Sequence, residues 1–291
     1  MTTTTAPATT PPAAQQVPVR RKRNRAGIGW GVLAWVVGIG MFFPVLWMVL
    51  TAFKQEGDAY TNTPKLFFVP TLDQFKAVFS SGIGTPLLNS AFATIVSAIL
   101  VLALGIPAAF ALSLRPIKRT SDALMWFIGT KMLPIVAAII PLYVIVGDIG
   151  MLDNIWTLVI LYTAMNLPIA VWMMRSFFLE VPGELLEAAE MDGAPLRRTV
   201  TEVILPVVAP GLAATALICC IFAWNEFFFA VSLTATKAAT VPVFLVGFIT
   251  SEGLFWARLS AASTMAVLPV IIAGWVAQKW LVRGLSLGAV K

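Results

Sequence analysis

Five long stretches without a charged residue constrain this chain more than any other feature of its sequence. They cover 28 residues after Arg25, 38 after Lys76, 21 after Asp153, 23 after Glu202 and 20 after Arg258. A sixth apolar stretch, 123–147, is interrupted only by Lys131. A helix needs about 20 apolar residues to cross the roughly 30 Å of hydrocarbon in a bilayer. We therefore predict an all-α polytopic membrane protein with six transmembrane helices, at about 28–53, 88–114, 123–147, 154–177, 203–233 and 259–281.

The composition of the 291-residue chain agrees with this class. Apolar residues make up 59% of it and charged residues only 12%, against about 25% charged residues in an average soluble protein. Soluble enzymes, nucleic-acid-binding modules and disordered scaffolds are therefore excluded together. The chain has no histidine, which excludes a Ser–His dyad and His-ligated zinc or haem. The adjacent Cys219 and Cys220 form no disulfide framework, and we expect them to pack as small apolar side chains.

Lysine and arginine residues predict the orientation in the membrane. If the N-terminus lies inside, fourteen of the twenty bases fall on the inner side and five on the outer side, with Lys131 within a span. This bias follows the positive-inside rule and predicts that both termini are cytoplasmic. Residues 1–25 are rich in Thr, Pro and Ala and end in a basic cluster, which indicates a disordered cytoplasmic arm. Residues 26–291 form the predicted transmembrane domain.

Short features interrupt or connect these spans. Residues 72–79 of the long outer loop predict a short interfacial helix, and the apolar stretch 243–249 is too short to cross the membrane. We expect that stretch to lie at the surface or to re-enter the bilayer. Four prolines are expected to kink their spans, because each removes a backbone donor: Pro134, Pro141, Pro168 and Pro269.

The predicted cytoplasmic loop between the fourth and fifth spans, about 180–202, has a different composition. It contains six acidic residues and two basic ones. Pro182 suits a helix start and Gly193 suits the first position beyond a helix end. A second helix begins at Ala194-Pro195 and runs toward Leu205-Pro206. This helix–glycine–helix elbow suits insertion into a groove of another protein, but it also fits a solvated connector.

One face of the first helix of this elbow is suited to close packing. Leu185, Ala188, Ala189 and Asp192 are spaced at i, i+3, i+4 and i+7 and share that face. The two alanines would allow a partner to approach the backbone.

The residues of this loop resemble those of a known family. Glu187-Ala188-Ala189, with Gly193 four residues after the second alanine and then Val203-Ile204-Leu205-Pro206, resembles the EAA loop of ABC importer permeases. The family usually has isoleucine where Val203 stands. Trp224-Asn225-Glu226-Phe227 and the tail 281–291 are similar to the maltose-type carbohydrate permeases. Segments 131–134, 166–176 and 253–256 look more like the sorbitol and mannitol permeases.

The resemblance implies a type I ABC importer permease fold and a set of partners in a bacterial inner or plasma membrane. A second permease subunit would complete the pore within the membrane lipid, and two ATP-binding subunits would bind the EAA loops. An extracellular or periplasmic solute-binding protein would deliver a carbohydrate, such as the polyols sorbitol or mannitol. The chain has no G-x-x-x-x-G-K-[ST] motif, so ATP would be held by the partner subunits. We therefore expect a transporter subunit that is not itself an enzyme and binds no cofactor, metal or nucleic acid.

The resemblance also suggests roles for individual residues. The ATPase-coupling helix would contain Glu187, Ala188, Ala189, Asp192 and Gly193. The candidate translocation path contains Asn225, Glu226 and Lys131, because polar groups within spans usually face a cavity or a partner.

Other interpretations of the sequence stay open. Glu226 could be hydrated at the outer interface, and Lys131 could extend its stem back to the cytoplasmic interface. The Gly-rich tail could reach the ATPases or be a frayed end. A secondary transporter of a small polar solute is the main alternative function, although the chain has no evident internal repeat. An intramembrane enzyme or a channel would leave the acidic elbow unexplained.

Overall fold

The computed structural model describes residues 25–61, 63–114, 118–250 and 253–288, with side chains from residue 29 to residue 278. The chain divides into two compact units, one ending at Leu46 and the other beginning at Trp47. In the first unit the described residues form one helical segment with Pro44 inside it. That segment belongs to α1, Arg25–Ala52, which corresponds to the first predicted span. The predicted arm 1–25 lies outside the described residues except for Arg25.

The second unit contains the remaining elements, and all but two of those described are helices. The helices that follow α1 are α2 (Glu56–Ala59), α3 (Asp73–Ser80), α4 (Gly84–Ser113), α5 (Thr120–Met132), α6 (Ile135–Asp148), α7 (Ile155–Leu179), α8 (Gly183–Met191), α9 (Leu196–Arg198), α10 (Leu205–Val207), α11 (Ala209–Trp224), α12 (Phe228–Leu233), α13 (Val241–Val246) and α14 (Trp256–Gly288). A π-helix, Thr199–Ile204, joins α9 to α10. The strands β1 (Ile249–Thr250) and β2 (Gly253–Leu254) form an antiparallel hairpin.

The number of predicted spans agrees with this set of helices. Within the described residues, four helices are long and apolar enough to cross a membrane: Gly29–Ala52, Gly84–Ser113, Ile155–Leu179 and Trp256–Gln278. Two bent pairs, α5 with α6 and the α9–α10 segment with α11, bring the number to six if each pair forms one span. The all-helical, multi-pass class is therefore confirmed.

The third span, predicted as one helix over 123–147 with kinks at Pro134 and Pro141, is broken into two helices. Helices α5 and α6 meet at an angle of 85°. Leu133 has an extended backbone with ψ of 126°, because a residue before proline is pushed out of the helical region. Pro134 therefore ends α5 and starts α6. The other three prolines expected to kink spans lie inside continuous helices: Pro141 in α6, Pro168 in α7 and Pro269 in α14.

The fifth span, predicted as one helix over 203–233, is also broken. A bend of 82° separates the Leu196–Val207 segment from α11. The bend lies at Val208 between Pro206 and Pro210, which lack the N–H donors that would continue the helical hydrogen bonds. Helix α11 then ends at Trp224, nine residues before the predicted end of the span, and α12 follows as a separate short helix.

The two short features outside the spans take different forms. The interfacial helix predicted over 72–79 is present as α3. The apolar stretch 243–249 begins in α13 and ends in β1, the first strand of the hairpin.

Small side chains let three spans approach each other closely. Val101 of α4, Ala170 of α7 and Cys219 of α11 form one fully buried cluster. A Cβ placed on Gly105 would lie 3.5 Å from the Ala170 Cβ atom, so α4 and α7 are in close contact at this level. Cys219 is thus a small packing residue, as the sequence suggested. The hydrophobic effect does not drive helices together within a bilayer, so close packing of this kind stabilises their contacts instead.

Gly211 provides a test of the contact between α7 and α11. A Cβ added at Gly211 would lie 2.3 Å from Cγ of Phe177, so the ring would have to move out of the core. We expect Gly211→Ala to lower the stability of the folded chain by about 1–3 kcal/mol, the usual effect of overpacking. Thermal unfolding in detergent measures this change. Gly129→Ala is the control, because a Cβ there meets no atom within 4 Å. An unchanged melting temperature for Gly211→Ala would contradict this packing.

Candidate functional site

The predicted elbow is a nine-residue helix that ends in a hydrogen-bonded turn. Three backbone N–H groups close the end of α8: Asp192 donates to Ala188, Gly193 to Glu190 and Ala194 to Ala189, each at 3.0 Å. The last two bonds form a Schellman motif, which requires a left-handed residue just after the helix. Gly193 fills that position with φ of +66°. The turn is therefore fixed by backbone geometry that suits glycine.

The faces of α8 differ from the predicted arrangement in one respect. Ala189 is buried against the chain itself and Leu185 is half-buried, whereas Ala188 and Asp192 are exposed. The predicted face is therefore divided between the interior and the surface, and only part of it is open to a partner. The division arises because Leu185 and its neighbour Leu186 pack on a core cluster that includes Phe178.

The outward side of the elbow is acidic and carries two large apolar side chains. Glu184, Glu187 and Glu190 are exposed. Met191 and Leu196, on either side of Gly193, are 88% and 51% exposed. Charged and apolar groups next to a rigid turn form a surface that can bind a complementary groove.

The segment after the turn continues as a helix with changed hydrogen bonding. The second predicted helix is present as α9, the π-helix and α10, from Leu196 to Val207. Arg198 and Glu202 form an exposed ion pair at 2.7 Å on its surface. Single-turn π segments occur frequently at functional sites.

Lys131 is exposed, and a backbone carbonyl of α7 holds its ammonium group. Its Nζ donates a hydrogen bond of 2.9 Å to the Met165 carbonyl oxygen of α7 and lies 5.5 Å from the centre of the Phe222 ring of α11. Met165 is ten residues before Arg175, or about 15 Å along a helix. The ammonium group is thus directed across the bundle rather than back toward the predicted cytoplasmic interface.

Glu226 is buried and its carboxylate caps the start of α12. The side chain is only 8% exposed, so it is not hydrated at the outer interface. Oε1 accepts a hydrogen bond from the Phe229 N–H at 2.9 Å, and Oε2 accepts one from the Ala230 N–H at 3.3 Å. A carboxylate at a helix N-terminus satisfies free N–H groups and interacts favourably with the helix dipole.

Asn225 faces away from this capped turn. It is exposed, and its Nδ2 donates to the Ile221 carbonyl oxygen of its own helix at 2.8 Å. Asn225 is one helical turn after Phe222, the ring that Lys131 contacts. Phe222 thus lies next to the Lys131 ammonium and one helical turn before Asn225, whereas the Glu226 carboxylate binds backbone N–H groups.

Sequence reasoning missed the role of Asp153. Its carboxylate accepts hydrogen bonds at 2.9–3.2 Å from four consecutive backbone N–H groups, those of residues 235–238. Its own N–H donates to the Leu233 carbonyl oxygen. Asp153 has φ of +53°, a conformation that aspartate and asparagine adopt more readily than other residues. This one side chain ties the turn before α7 to the loop after α12.

The Asp153 carboxyl has a shifted pKa with two opposing causes. Desolvation on burial would by itself raise this pKa, but the four N–H donors outweigh burial and hold the pKa well below its usual range. The carboxylate therefore stays charged at any physiological pH.

A second acidic side chain has a similar role at α14. The Glu56 carboxylate accepts hydrogen bonds from the Ala257 and Arg258 N–H groups, at 3.0 and 3.3 Å. It caps the first turn of that helix from 201 residues away in sequence.

Among the described residues, no cluster of side chains is suited to hold a metal ion.

Apolar spans, two of them broken, and a rigid acidic elbow between two spans are the features of a multi-pass membrane protein. The chain matches the family model described as binding-protein-dependent transport system inner membrane component over residues 101–287. It belongs to this family, and it is a multi-pass protein of the inner membrane.

Two relatives and one solved structure illustrate this similarity. The chain is 39% identical to the probable ABC transporter permease protein y4oR of Sinorhizobium fredii, over 90% of this chain and 93% of the relative. It is 35% identical to the diacetylchitobiose uptake system permease protein DasC of Streptomyces coelicolor, over 93% and 99%. The fold is shared with a bacterial ABC transporter involved in the import of the acidic polysaccharide alginate, with a TM-score of 0.72 and 24% identity over 90% and 99%.

The Asp153 contacts predict how stability depends on charge and on pH. Asp153→Asn keeps the shape of the side chain but replaces one acceptor oxygen with a donor that faces N–H groups. We expect it to lower stability by about 1–3 kcal/mol. Because the pKa of the folded state is depressed, the stabilisation is complete above the ordinary aspartate pKa of about 3.9 and is lost as pH falls below it.

Melting temperatures of the wild type and the variant between pH 3 and 7 test this expectation. The two should differ most near neutral pH and converge in acid. Asp148→Asn is the matched control, because Asp148 is exposed at the end of α6. Equal losses for the two variants, or a gap that widens in acid, would contradict the role given to Asp153.

Proposed function

We propose that this chain is one of two permease subunits that form the translocation path of an ATP-driven carbohydrate importer. The observation that carries this proposal is the elbow formed by α8 and Gly193, rigid at its turn and acidic on its surface, in a chain of the binding-protein-dependent transport family. The relative DasC is by its name a permease for diacetylchitobiose uptake, which supports a carbohydrate as the cargo.

A narrower proposal concerns the identity of that carbohydrate. Segments 131–134, 166–176 and 253–256 resemble sorbitol and mannitol permeases, so we propose a polyol as the cargo. DasC carries a different sugar by its name, and disaccharides therefore belong in the same assay.

The elbow would bind one of two ATP-binding subunits. Glu187, Ala188, Asp192 and Gly193 are exposed on α8 and its turn and would contact the partner directly. Ala189 is buried under them and would hold α8 against the chain. Three exposed glutamates favour a partner groove that carries basic side chains.

The packing under the elbow suggests how a movement of α8 would reach the membrane. Leu185 and Leu186 contact the cluster that contains Phe178 of α7, Ile204 of the π-helix and Val208 at the bend of the fifth span. A displacement of α8 by ATP-driven closure of the partners would therefore move the ends of two spans together. Because packed cores have discrete arrangements, such a displacement would switch the path rather than deform it gradually.

Other partners follow from the same proposal. The second permease subunit would supply the remaining wall of the path, and an extracellular or periplasmic solute-binding protein would deliver the sugar. ATP would be held by the ATP-binding subunits. Within this chain, we propose that Lys131 and Asn225 line the path, while Glu226 positions α12.

Reconstitution tests the proposed function. The chain would be purified with the subunits encoded beside its gene and placed in proteoliposomes. Uptake of diacetylchitobiose, trehalose, sorbitol and mannitol and the rate of ATP hydrolysis would then be measured. We expect the solute-binding protein to stimulate ATP hydrolysis and one of the sugars to accumulate. Uptake that depends on an ion gradient instead of ATP would contradict the proposal and favour a secondary transporter.

A substitution at Gly193 tests the coupling role. Gly193→Val places a β-branched residue at a positive φ, with a strain of about 1–3 kcal/mol. We expect sugar uptake to fall about tenfold or more relative to ATP hydrolysis, while the chain still inserts and assembles. Gly193→Asn is the control, because asparagine tolerates the left-handed conformation. Normal uptake by a well-expressed valine variant would argue against a rigid coupling turn.

A further inference from the structure

The position of Lys131 indicates which side of the bundle faces a polar space. Lys131 is in the last turn of α5, just before the break at Leu133, and its side chain is exposed on the surface of this chain. A lysine near the bilayer centre costs about 2.5–3.5 kcal/mol on insertion scales, so such residues face a cavity or a partner rather than lipid. The exposed side of Lys131 therefore faces water, a solute or another polar surface.

Lys131 also has unused hydrogen-bonding capacity. An ammonium group has three N–H donors, and the hydrogen bond to the Met165 carbonyl oxygen uses one of them. No carboxylate lies within ion-pair distance of Lys131 among the described residues. Two donors and an uncompensated positive charge are thus available to a ligand.

Phe222 and Asn225 add the other two groups that bind sugars. The Phe222 ring is 42% exposed, with the Lys131 ammonium over it and the rest of the ring accessible. Asn225 uses Nδ2 for its hydrogen bond to Ile221, which leaves the amide oxygen as an acceptor. A sugar presents apolar C–H faces that pack on aromatic rings, and hydroxyl groups that both donate and accept.

We propose that Lys131, Phe222 and Asn225 form a carbohydrate subsite on the path, which accepts neutral or anionic sugars and disfavours cationic ones. This inference rests on the proposed function. The ring packs against the sugar, the amide oxygen accepts from a hydroxyl group, and the ammonium donates to hydroxyl or carboxylate oxygens. A protonated amino sugar would meet the fixed positive charge and be repelled.

The neighbouring acidic side chain does not cancel this selectivity. The Glu226 carboxylate is buried with its oxygens bound to the Phe229 and Ala230 N–H groups. Its charge is therefore directed into the start of α12, whereas Asn225 beside it is exposed. Both residues lie in the break between α11 and α12, but Glu226 is turned inward and Asn225 outward.

Thiol labelling of the assembled transporter in proteoliposomes tests the subsite. Cys219→Ala and Cys220→Ala remove the native thiols, and Asn225→Cys introduces one at the proposed site. The probes are methanethiosulfonate ethylsulfonate, which is anionic, and methanethiosulfonate ethyltrimethylammonium, which is cationic. Each rate is divided by the rate of the same probe with a free thiol in solution, because a thiolate intrinsically prefers the cationic probe. On this scale we expect the anionic probe to react on the order of tenfold faster than the cationic one, because of the charge on Lys131.

Three further variants make the result specific. Lys131→Met should abolish the preference for the anionic probe, and Lys131→Arg should retain it. Ile140→Cys on α6, where the native side chain is apolar and 74% exposed, should stay unreactive as a lipid-facing control. The transported sugar identified in the uptake assay should slow labelling of Asn225→Cys.

The outcomes separate this inference from the proposed function. If Asn225→Cys is unreactive in a transporter with normal uptake, the face is buried against the second permease and the subsite is wrong. A charge preference that survives Lys131→Met, or labelling that the sugar does not slow, would also overturn it. If the solute-binding protein does not stimulate ATP hydrolysis in the wild type, the proposed function itself fails.

Discussion

The lipid bilayer offers no hydrogen bonds, and the rest of this structure depends on how the chain satisfies its own polar groups. Lys131 reaches the Met165 carbonyl oxygen, and Asn166 Nδ2 lies 3.5 Å from the Cys219 carbonyl oxygen. Both contacts join separate spans. In lipid an unsatisfied polar group costs several kcal/mol. These contacts therefore hold α5, α7 and α11 in one arrangement while leaving a cation accessible.

Three acidic side chains outside the elbow also satisfy polar groups of the backbone. Glu56, Asp153 and Glu226 each accept two or more backbone N–H bonds at a helix start or a loop. Glu56 and Glu226 bind N–H groups that a helix start leaves free, and Asp153 binds N–H groups of a loop. Short helices such as α12 and the long connection between α12 and α13 are stable because a carboxylate from the chain binds their backbone.

The acidic side chains of the elbow lie on its surface instead. Glu184, Glu187 and Glu190 are exposed, while the apolar side of the same helix packs on the cluster around Phe178 and Ile204. The helix thus has a surface available to a partner and a core contact that links it to two spans. Gly193, with its positive φ, fixes the turn between α8 and the helical segment that follows it.

The sequence by itself determined the features that depend on neighbouring residues. The number of spans, the helix α3, the elbow helix and the position of Gly193 follow from apolar length and from helix start and stop signals, which act over a few residues. A kink at Pro134 was predicted, but the size of the bend between α5 and α6 was not. A proline fixes only its local dihedral angles, and the packing around the break sets the angle of 85°.

Only the tertiary structure decided which polar groups meet. Asp153 binds N–H groups more than 80 residues away, Lys131 binds a carbonyl 34 residues away, and Ala189 is turned inward although Ala188 beside it is exposed. No local pattern distinguishes these residues from other acids, lysines and alanines of the chain. Their roles arise when distant segments pack together. A hydrogen bond needs its donor and acceptor about 3 Å apart, and the sequence does not show which distant residues come that close.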